Sequence, residues 1–211
     1  MKLTIDKNRV RNHFTYCWWQ YLILIVSAIF GWNLLFTTTG YHTPPELKVD
    51  WYYQGPINDS MEKSAVALIR GICDEIHPEI EEINFVQVGT DETYGPMQLT
   101  VWVAAGEGDL YLLDYNSFSQ VGSGMVDLQP YIDNGLLKVD GLKLKKGYVR
   151  DTETNEKYLC GIPAENFTGL ADIGITLTDK VFGVLANCGN VDTTVEVMQK
   201  MLEIYGEPTE K

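Results

Sequence analysis

From Asn12 to Pro45 the chain holds no Lys, Arg, Asp or Glu, and inside that gap lies CWWQYLILIVSAIFGWNLLF, Cys17–Phe36. These 20 residues make a helix about 30 Å long, the thickness of the hydrocarbon core of a bilayer. Without water to bond, a backbone in lipid must satisfy its own N–H and C=O groups, which holds such a stretch to a helix. Trp18, Trp19 and Tyr21 stand near one end and Trp32 near the other, where interfacial aromatics belong. A buried core helix would carry caps and a polar face, and this stretch has neither. A cleaved signal needs small residues at fixed positions, which only Thr37-Thr38-Thr39-Gly40 approaches, and the apolar run is long for a signal. Cys17 precedes the apolar core and so is not a lipoprotein cysteine. The span therefore reads as an uncleaved signal anchor, residues 16–37. Lys2, Lys7, Arg9 and Arg11 against Asp6 alone keep residues 1–15 in the cytoplasm and send residues 38–211 outside.

Charge separates the two sides. Four basic residues against one acidic give +3 before Tyr16, which leaves −16 on the rest of a chain whose net charge is −13. So acidic a domain repels nucleic acid and anionic headgroups, which excludes nucleic acid as a partner. Of the 4 cysteines, Cys73, Cys160 and Cys188 fall in the outer part. Their spacing fits no zinc motif and three cannot all pair. A Cys160–Cys188 disulfide and three buried thiols are both compatible with the sequence.

Residues 38–46 form a tether stiffened by Pro44-Pro45. Beyond it, Leu47–Gln54 is a predicted strand ended by Gly55-Pro56. Met61, Ala65, Leu68, Ile69, Ile72, Cys73 and Ile76 recur at helical spacing behind a capping box of Asp59 and Glu62, with Pro78 after the end. Ile83–Val88 is a second strand, and residues 94–105 a helix with Leu99, Trp102 and Val103 on one face. Next comes Asp109–Asp114, whose run Leu110-Tyr111-Leu112-Leu113 does not alternate. Both its faces are buried, as in a parallel sheet covered by helices. Tyr115–Val121 is a short helix, 125–137 a loop with a helical turn, and 147–163 a hairpin around Asp151–Glu156. Val181–Ala186 is another buried strand. A last helix buries Val191, Val195, Met198, Leu202 and Tyr205 before Gly206 and Pro208. The alternation of strands and helices predicts an α/β fold with right-handed crossovers.

Little in this pattern suggests catalysis. His42 lies in the tether and His77 beside a helix-ending proline, and no Ser, Cys or His arrangement pairs a nucleophile with a base. Gly106-Glu107-Gly108 is a fragment of a dinucleotide fingerprint and precedes a strand where the fingerprint follows one. Asp91-Glu92, Glu107/Asp109 and Glu79/Glu81/Glu82 lack calcium-loop spacing and read as solvated surface. Asn58 and Asn166 begin glycosylation-type triplets. No enzyme activity, cofactor or metal is expected.

LTVWVAAGEGDLYLLDYNSFSQVGSGMVDLQPYID (99–133) resembles the extracellular solute-binding proteins of ABC transporters. There, a helix ends in an Ala/Gly segment, followed by an "Asp, apolar run, Asp" strand and a helix ending near Gly-x-Leu-x-x-Leu-x-x-Tyr-Ile. Gly124, Val126, Leu128, Gln129, Pro130, Tyr131 and Ile132 occupy those places. KYLCGIP (157–163) resembles the family's "Lys-x-Tyr-Gly-Ile-Pro" strand, with Leu159-Cys160 replacing one residue, and 181–202 its returning strand and helix. First-strand Trp51 also suits the family.

The resemblance, over residues 47–205, implies one periplasmic-binding-protein-like (type II) lobe: a three-layer α/β domain with a mostly parallel sheet and one returning strand. Residues 206–211 are a tail. The family's second lobe has no room in residues 164–180, because seventeen residues cannot build a core. Gln54, Gly55, Pro56, Asp114 and Asn187 match positions lining the family's cleft, and here would edge an open groove. By its own position Asp114 either faces that crevice or caps the helix starting near Asn116. The resemblance thus implies a single-pass protein of a bacterial cell membrane whose outer module docks to a membrane protein or transporter. A weak receptor for a small solute, sugar or peptide, is the alternative.

Overall fold

The computed structural model describes residues 7–41, 43–91, 94–150 and 156–206. They fall into two compact units, Met1–His42 and Thr43–Lys211. The first is the helix α1, Lys7–Thr39, longer at both ends than the apolar span. Its segment Thr15–Thr39 is long and apolar enough to cross a membrane. The hydroxyls of Thr37, Thr38 and Thr39 donate to the carbonyls of Asn33, Leu34 and Leu35, at 2.8, 2.8 and 2.6 Å. Each hydroxyl thus bonds back to the carbonyl four residues earlier, the usual local partner of a threonine inside a helix.

In the second unit, β1 (Lys48–Gln54), β2 (Glu82–Val88), β3 (Leu110–Asp114), β6 (Gly161–Pro163) and β7 (Lys180–Val184) form a five-stranded sheet ordered β2-β1-β3-β7-β6. β1 pairs parallel with β2 and β3, while β7 runs antiparallel to both β3 and β6. Four strands thus share a direction and β7 returns, the mostly parallel sheet with one returning strand that the resemblance implies. β4 (Tyr148–Arg150) and β5 (Lys157–Leu159) make a separate two-stranded ribbon. The middle of its turn, Asp151–Asn155, lies outside the described residues.

Alternation of side chains explains the unbroken apolar runs. Trp51 and Tyr53 of β1, Leu110 and Leu112 of β3, and Phe182 and Val184 of β7 bury one face under α2 (Asp59–Ile76) and α6 (Val191–Tyr205). Tyr52, Tyr111, Leu113 and Val181 bury the other beneath α3 (Tyr94–Ala105) and α4 (Tyr115–Val121). Each strand needs apolar residues at both parities because a helical layer covers each side. The small fifth helix, α5 (Gln129–Asp133), is the helical turn expected after Met125.

Local chemistry sets the element ends. The cap of α2 is Asn58, one residue before the expected Asp59: its Oδ1 accepts from Met61 N at 2.9 Å. Asp59 and Glu62 then sit in the first turn, where negative charge suits the helix dipole. Asp91 caps α3, accepting from Tyr94 N at 2.9 Å, and so is not merely solvated. The segment Ala104–Gly108 ends α3 in a Schellman turn: Glu107 N donates to Trp102 O and Gly106 N to Val103 O, with Gly106 at φ 72°. Asn166, the second glycosylation-type asparagine, is buried. Its amide donates to the carbonyls of Lys143 and Pro163 and accepts from Lys143 N, so it clamps two loops together.

Residues 164–179 fold back as short 3-10 turns, Ala164–Asn166 and Thr168–Ile173. Phe167, Leu170 and Ile175 are buried in the core under α2 and α6. The segment therefore closes the lobe's own core.

Candidate binding site at the carboxyl edge of the sheet

β1 and β3 end together, and β7 begins, at the same edge. The register pairs Asp114 with Lys180 directly across the ladder. Lys180 is only 5% exposed at its side chain, and its ammonium donates to Asp114 Oδ1 and to the carbonyl of Gln54. The Tyr53 ring lies 5.5 Å away, close enough for a cation–π contact. Gln54 completes the cluster, its Oε1 accepting from Asp114 N at 3.0 Å. Asp114 stands at the cap position of α4 but makes no side-chain capping bond. Its carboxylate serves Lys180, a role neither of the two sequence expectations included.

Gly55 follows in the tight exit from β1, its carbonyl held by Gln87 Nε2 at 2.8 Å. A Cβ there would collide with the Tyr53 ring, so glycine is required. Pro56 is exposed. The sheet edge thus brings Gln54, Gly55, Pro56 and Asp114 together. It does not bring Asn187. Because β7 is antiparallel, it delivers Asn187 to the opposite edge, where Asn187 O sits 3.0 Å from the Cβ position of Gly106. Grouping Asn187 with the crevice treats a returning strand as though it ran forward.

Beside Lys180 is an open depression of about 350 Å³, lined by Lys146, Pro163, Glu165, Thr178, Asp179 and Lys180 among others. Lys146 pairs with Asp179 at 2.8 Å, and Asp179 holds φ 56°, a left-handed conformation rare outside glycine. Sequence reasoning missed Lys180 by starting the strand at Val181. The available signal was a lysine heading an apolar strand that returns beside one ending in aspartate: opposite charges across a ladder.

The other edge holds a second set of polar groups. Asp109, expected at the surface, is buried; its Oδ2 accepts from Asp50 N at 2.7 Å, and Asp109 N donates to Asp50 O at 3.0 Å. Burial pushes its carboxyl up to about 6, against the pull of the Asp50 N–H. Cys188, half-buried beside it, is a free thiol pushed up to about 12, chiefly by burial. Cys160 is likewise free, buried and raised to about 12 by burial. The Cys160–Cys188 bridge is therefore not formed. His77 links α2 to α6, with its ring nitrogens 3.0 Å from Glu79 and 2.8 Å from Glu196. Burial opposes its protonation, but the two carboxylates outweigh burial and raise its pKa.

Both shifts act in one direction with pH. A raised folded pKa contributes stability below the unfolded value that is lost as pH climbs through the folded one. For Asp109 the loss runs from about 4 to about 6, and for His77 it begins above 6.5. Relief of self-repulsion at a net charge of −13 adds the same sign. The thermal midpoint of residues 46–211 is expected to be higher at pH 5.5 than at pH 8. Asp109→Asn should remove on the order of 2 kcal/mol of the total change between pH 4 and 8. A midpoint that rises from pH 5.5 to 8 would contradict both assignments.

No family model and no curated protein matches the chain. Among solved structures it is similar to the extracellular solute-binding protein family 1 from Alicyclobacillus acidocaldarius subsp. acidocaldarius DSM 446, at 20% identity and a TM-score of 0.39. The match covers 58% of this chain and 29% of that one. The chain therefore corresponds to less than a third of that protein's length.

Proposed function

We propose that this protein is a membrane-anchored binding module whose outer domain engages a protein partner in the same membrane. α1 spans the bilayer with residues 1–15 in the cytoplasm. The helical Thr37–Thr39 run supports retention, because it is the one small-residue stretch near the end of the apolar span where a signal could be cut. The observation that carries the binding reading is the state of the crevice. Gln54, Asp114 and Lys180 spend their polar groups on one another, and residues 164–179 pack onto the lobe's own core. A solute would find few unpaired groups and an open wall, whereas good small-molecule sites bury most of the ligand. A protein surface can cover such an edge.

One observation favours the second reading, direct affinity for a small sugar or peptide: the 350 Å³ depression has a polar, charged lining. Thr178 is exposed at its mouth, so Thr178→Trp fills it without touching the core. Full-length protein extracted in mild detergent is expected to bring down a membrane protein, and Thr178→Trp to lose it with an unchanged melting temperature. Calorimetric titration of sugars and short peptides is expected to show no binding tighter than the millimolar range. Micromolar solute binding abolished by Thr178→Trp, with no co-purifying protein, would replace the partner reading by the receptor reading.

A further inference from the structure

Positive charge in this acidic outer part is gathered in one place. Residues 138–157 hold half of the basic residues that follow Tyr16, and residues 141–150 hold Lys143, Lys145, Lys146 and Arg150 with no Asp or Glu among them. Three lysines tie the stretch down: Lys138 to Glu203 at 3.7 Å, Lys143 to Glu165 at 3.9 Å and Lys146 to Asp179 at 2.8 Å. Lys145 and Lys157, both exposed, form no ion pair with a described residue. The ribbon that follows adds a second feature. Its register sets Arg150 directly opposite Lys157, and like charges facing each other across a ladder are destabilising. Alternation puts Tyr148 and Arg150 of β4 and Lys157 of β5 on one face. Val149 and Tyr158 turn the other way, onto the buried cluster around Phe118. Tyr148 stays 43% exposed on the face of the two cations. A chain with an outer charge of −16 has carboxylates in plenty, yet opposite Arg150 it sets a second cation.

We infer that the outer face of the β4–β5 ribbon docks an extended acidic segment of the partner protein, with Tyr148 covering an apolar side chain and Arg150 and Lys157 sharing a carboxylate. The inference rests on the partner reading above and names the chemistry of the segment that docks. Charge selects an acid: an anion between Arg150 and Lys157 replaces their repulsion by two charge-assisted hydrogen bonds. Tyr and Arg are also the residue types that most often anchor interfaces. Spacing selects the form. Tyr148 and Arg150 stand two residues apart, about 7 Å along the strand. Alternate side chains of an extended segment have the same separation, so an apolar residue followed two positions later by Asp or Glu matches both. An anionic bilayer fits less well. Its charge spreads over an area wider than the ribbon and would also meet the acidic surroundings, whereas a single segment meets the ribbon alone. Lys146 joins the patch to the depression beside Lys180, which it helps to line.

The test adds to the full chain, in uncharged detergent, an acetylated peptide Bpa-Thr-Glu-Thr-Glu, in which photoreactive benzoylphenylalanine (Bpa) takes the apolar position. Irradiation followed by mass spectrometry locates each adduct, so labelling of the basic residues before Tyr16 is counted apart. Adducts are expected on β4 and β5, at least about tenfold denser than around Lys63, a lysine equally exposed on α2. The same peptide with Gln in place of Glu should label the ribbon at least about tenfold less. Arg150→Glu should cut the Glu-peptide yield as far while leaving the melting temperature unchanged or slightly raised, because it sets an acid opposite Lys157. If that variant melts lower, Lys157→Glu, with the acid on the other strand of the pair, carries the same expectation. Equal yields from the two peptides, even labelling of ribbon and α2, or yields indifferent to both substitutions would each overturn the inference. Displacement of the peptide by phosphatidylserine vesicles more effectively than by an equal charge of unlabelled peptide would overturn it too, and would assign the patch to a bilayer. None of these results involves Thr178 or a co-purifying protein, so a failure here leaves the partner reading standing, and a failure of that reading leaves the peptide result to be judged on its own.

Discussion

Asp114→Ala is expected to destabilise residues 46–211 by about 2–3 kcal/mol, well above the roughly 1 kcal/mol of a lost helix cap. The cost comes from what remains behind. Lys180, 5% exposed, would keep its charge with only the Gln54 carbonyl and the Tyr53 ring for company. Removing one partner of a buried ion pair costs more than the pair contributes, because the other charge stays uncompensated. Asp114 is half exposed, so water entering its place offsets part of the penalty, and the expected figure sits at the low end of such cases. Lys180→Met should cost about 1–3 kcal/mol, since the freed carboxylate hydrates while the buried Gln54 carbonyl loses its donor. The double variant is then expected to fall short of the sum by at least about 1 kcal/mol. In melting temperature, each kcal/mol corresponds to about 2–4 °C for a domain of this size. A cost for Asp114→Ala near that of a cap, with strict additivity, would mean that the two charges do not depend on each other.

This pair marks where sequence reading reached and where it stopped. Asp114 was visible because an apolar run that ends on a carboxylate puts a charged group at a strand's end. Its partner was not, because the partner comes from a strand 66 residues further on, and periodicity carries no pairing information. The same blindness placed Asn187 at the crevice. Its strand β7 runs antiparallel to β3, so it ends at the edge opposite the crevice. Asp109 was misjudged for a related reason. Acidic residues in a glycine-rich turn read as solvated, whereas this one is buried to accept from the Asp50 backbone across the sheet.

What was legible rests on local rules. The double-parity apolar runs of β1, β3 and β7 forecast helices on both faces, and both are covered. Gly106 and Gly108, at φ 72° and 86°, show why the small-residue stretch before β3 must be small. The helix 94–105 was less secure by propensity, with β-branched Val101 and Val103 in it, and it holds because Leu99 anchors it to the sheet. Only the structure shows that it lies beside α4.

Phe167→Ala is expected to cost about 3–5 kcal/mol, although Phe167 lies in a stretch that by sequence is a mere connection between two strands. Its side chain is fully buried, with the ring 4.5 Å from that of Phe182 on β7 and tilted by 50°. Truncation removes that aromatic pair and leaves a cavity beneath α6, where Leu170 and Met201 are already close-packed. A tether that only spans the gap from Pro163 to Lys180 would tolerate alanine within about 0.5 kcal/mol, as surface positions do. The comparison separates two histories of the fold in physical terms. If the segment is a linker, the lobe's core is complete without it and Phe167→Ala melts like the wild type. If it seals the core, the midpoint drops by roughly 6–20 °C, and Leu170→Ala, 0% exposed in the same segment, drops it comparably. Urea unfolding of both variants decides the matter. The sealed-core reading also requires an unchanged dependence on denaturant concentration, because the same surface is exposed on unfolding.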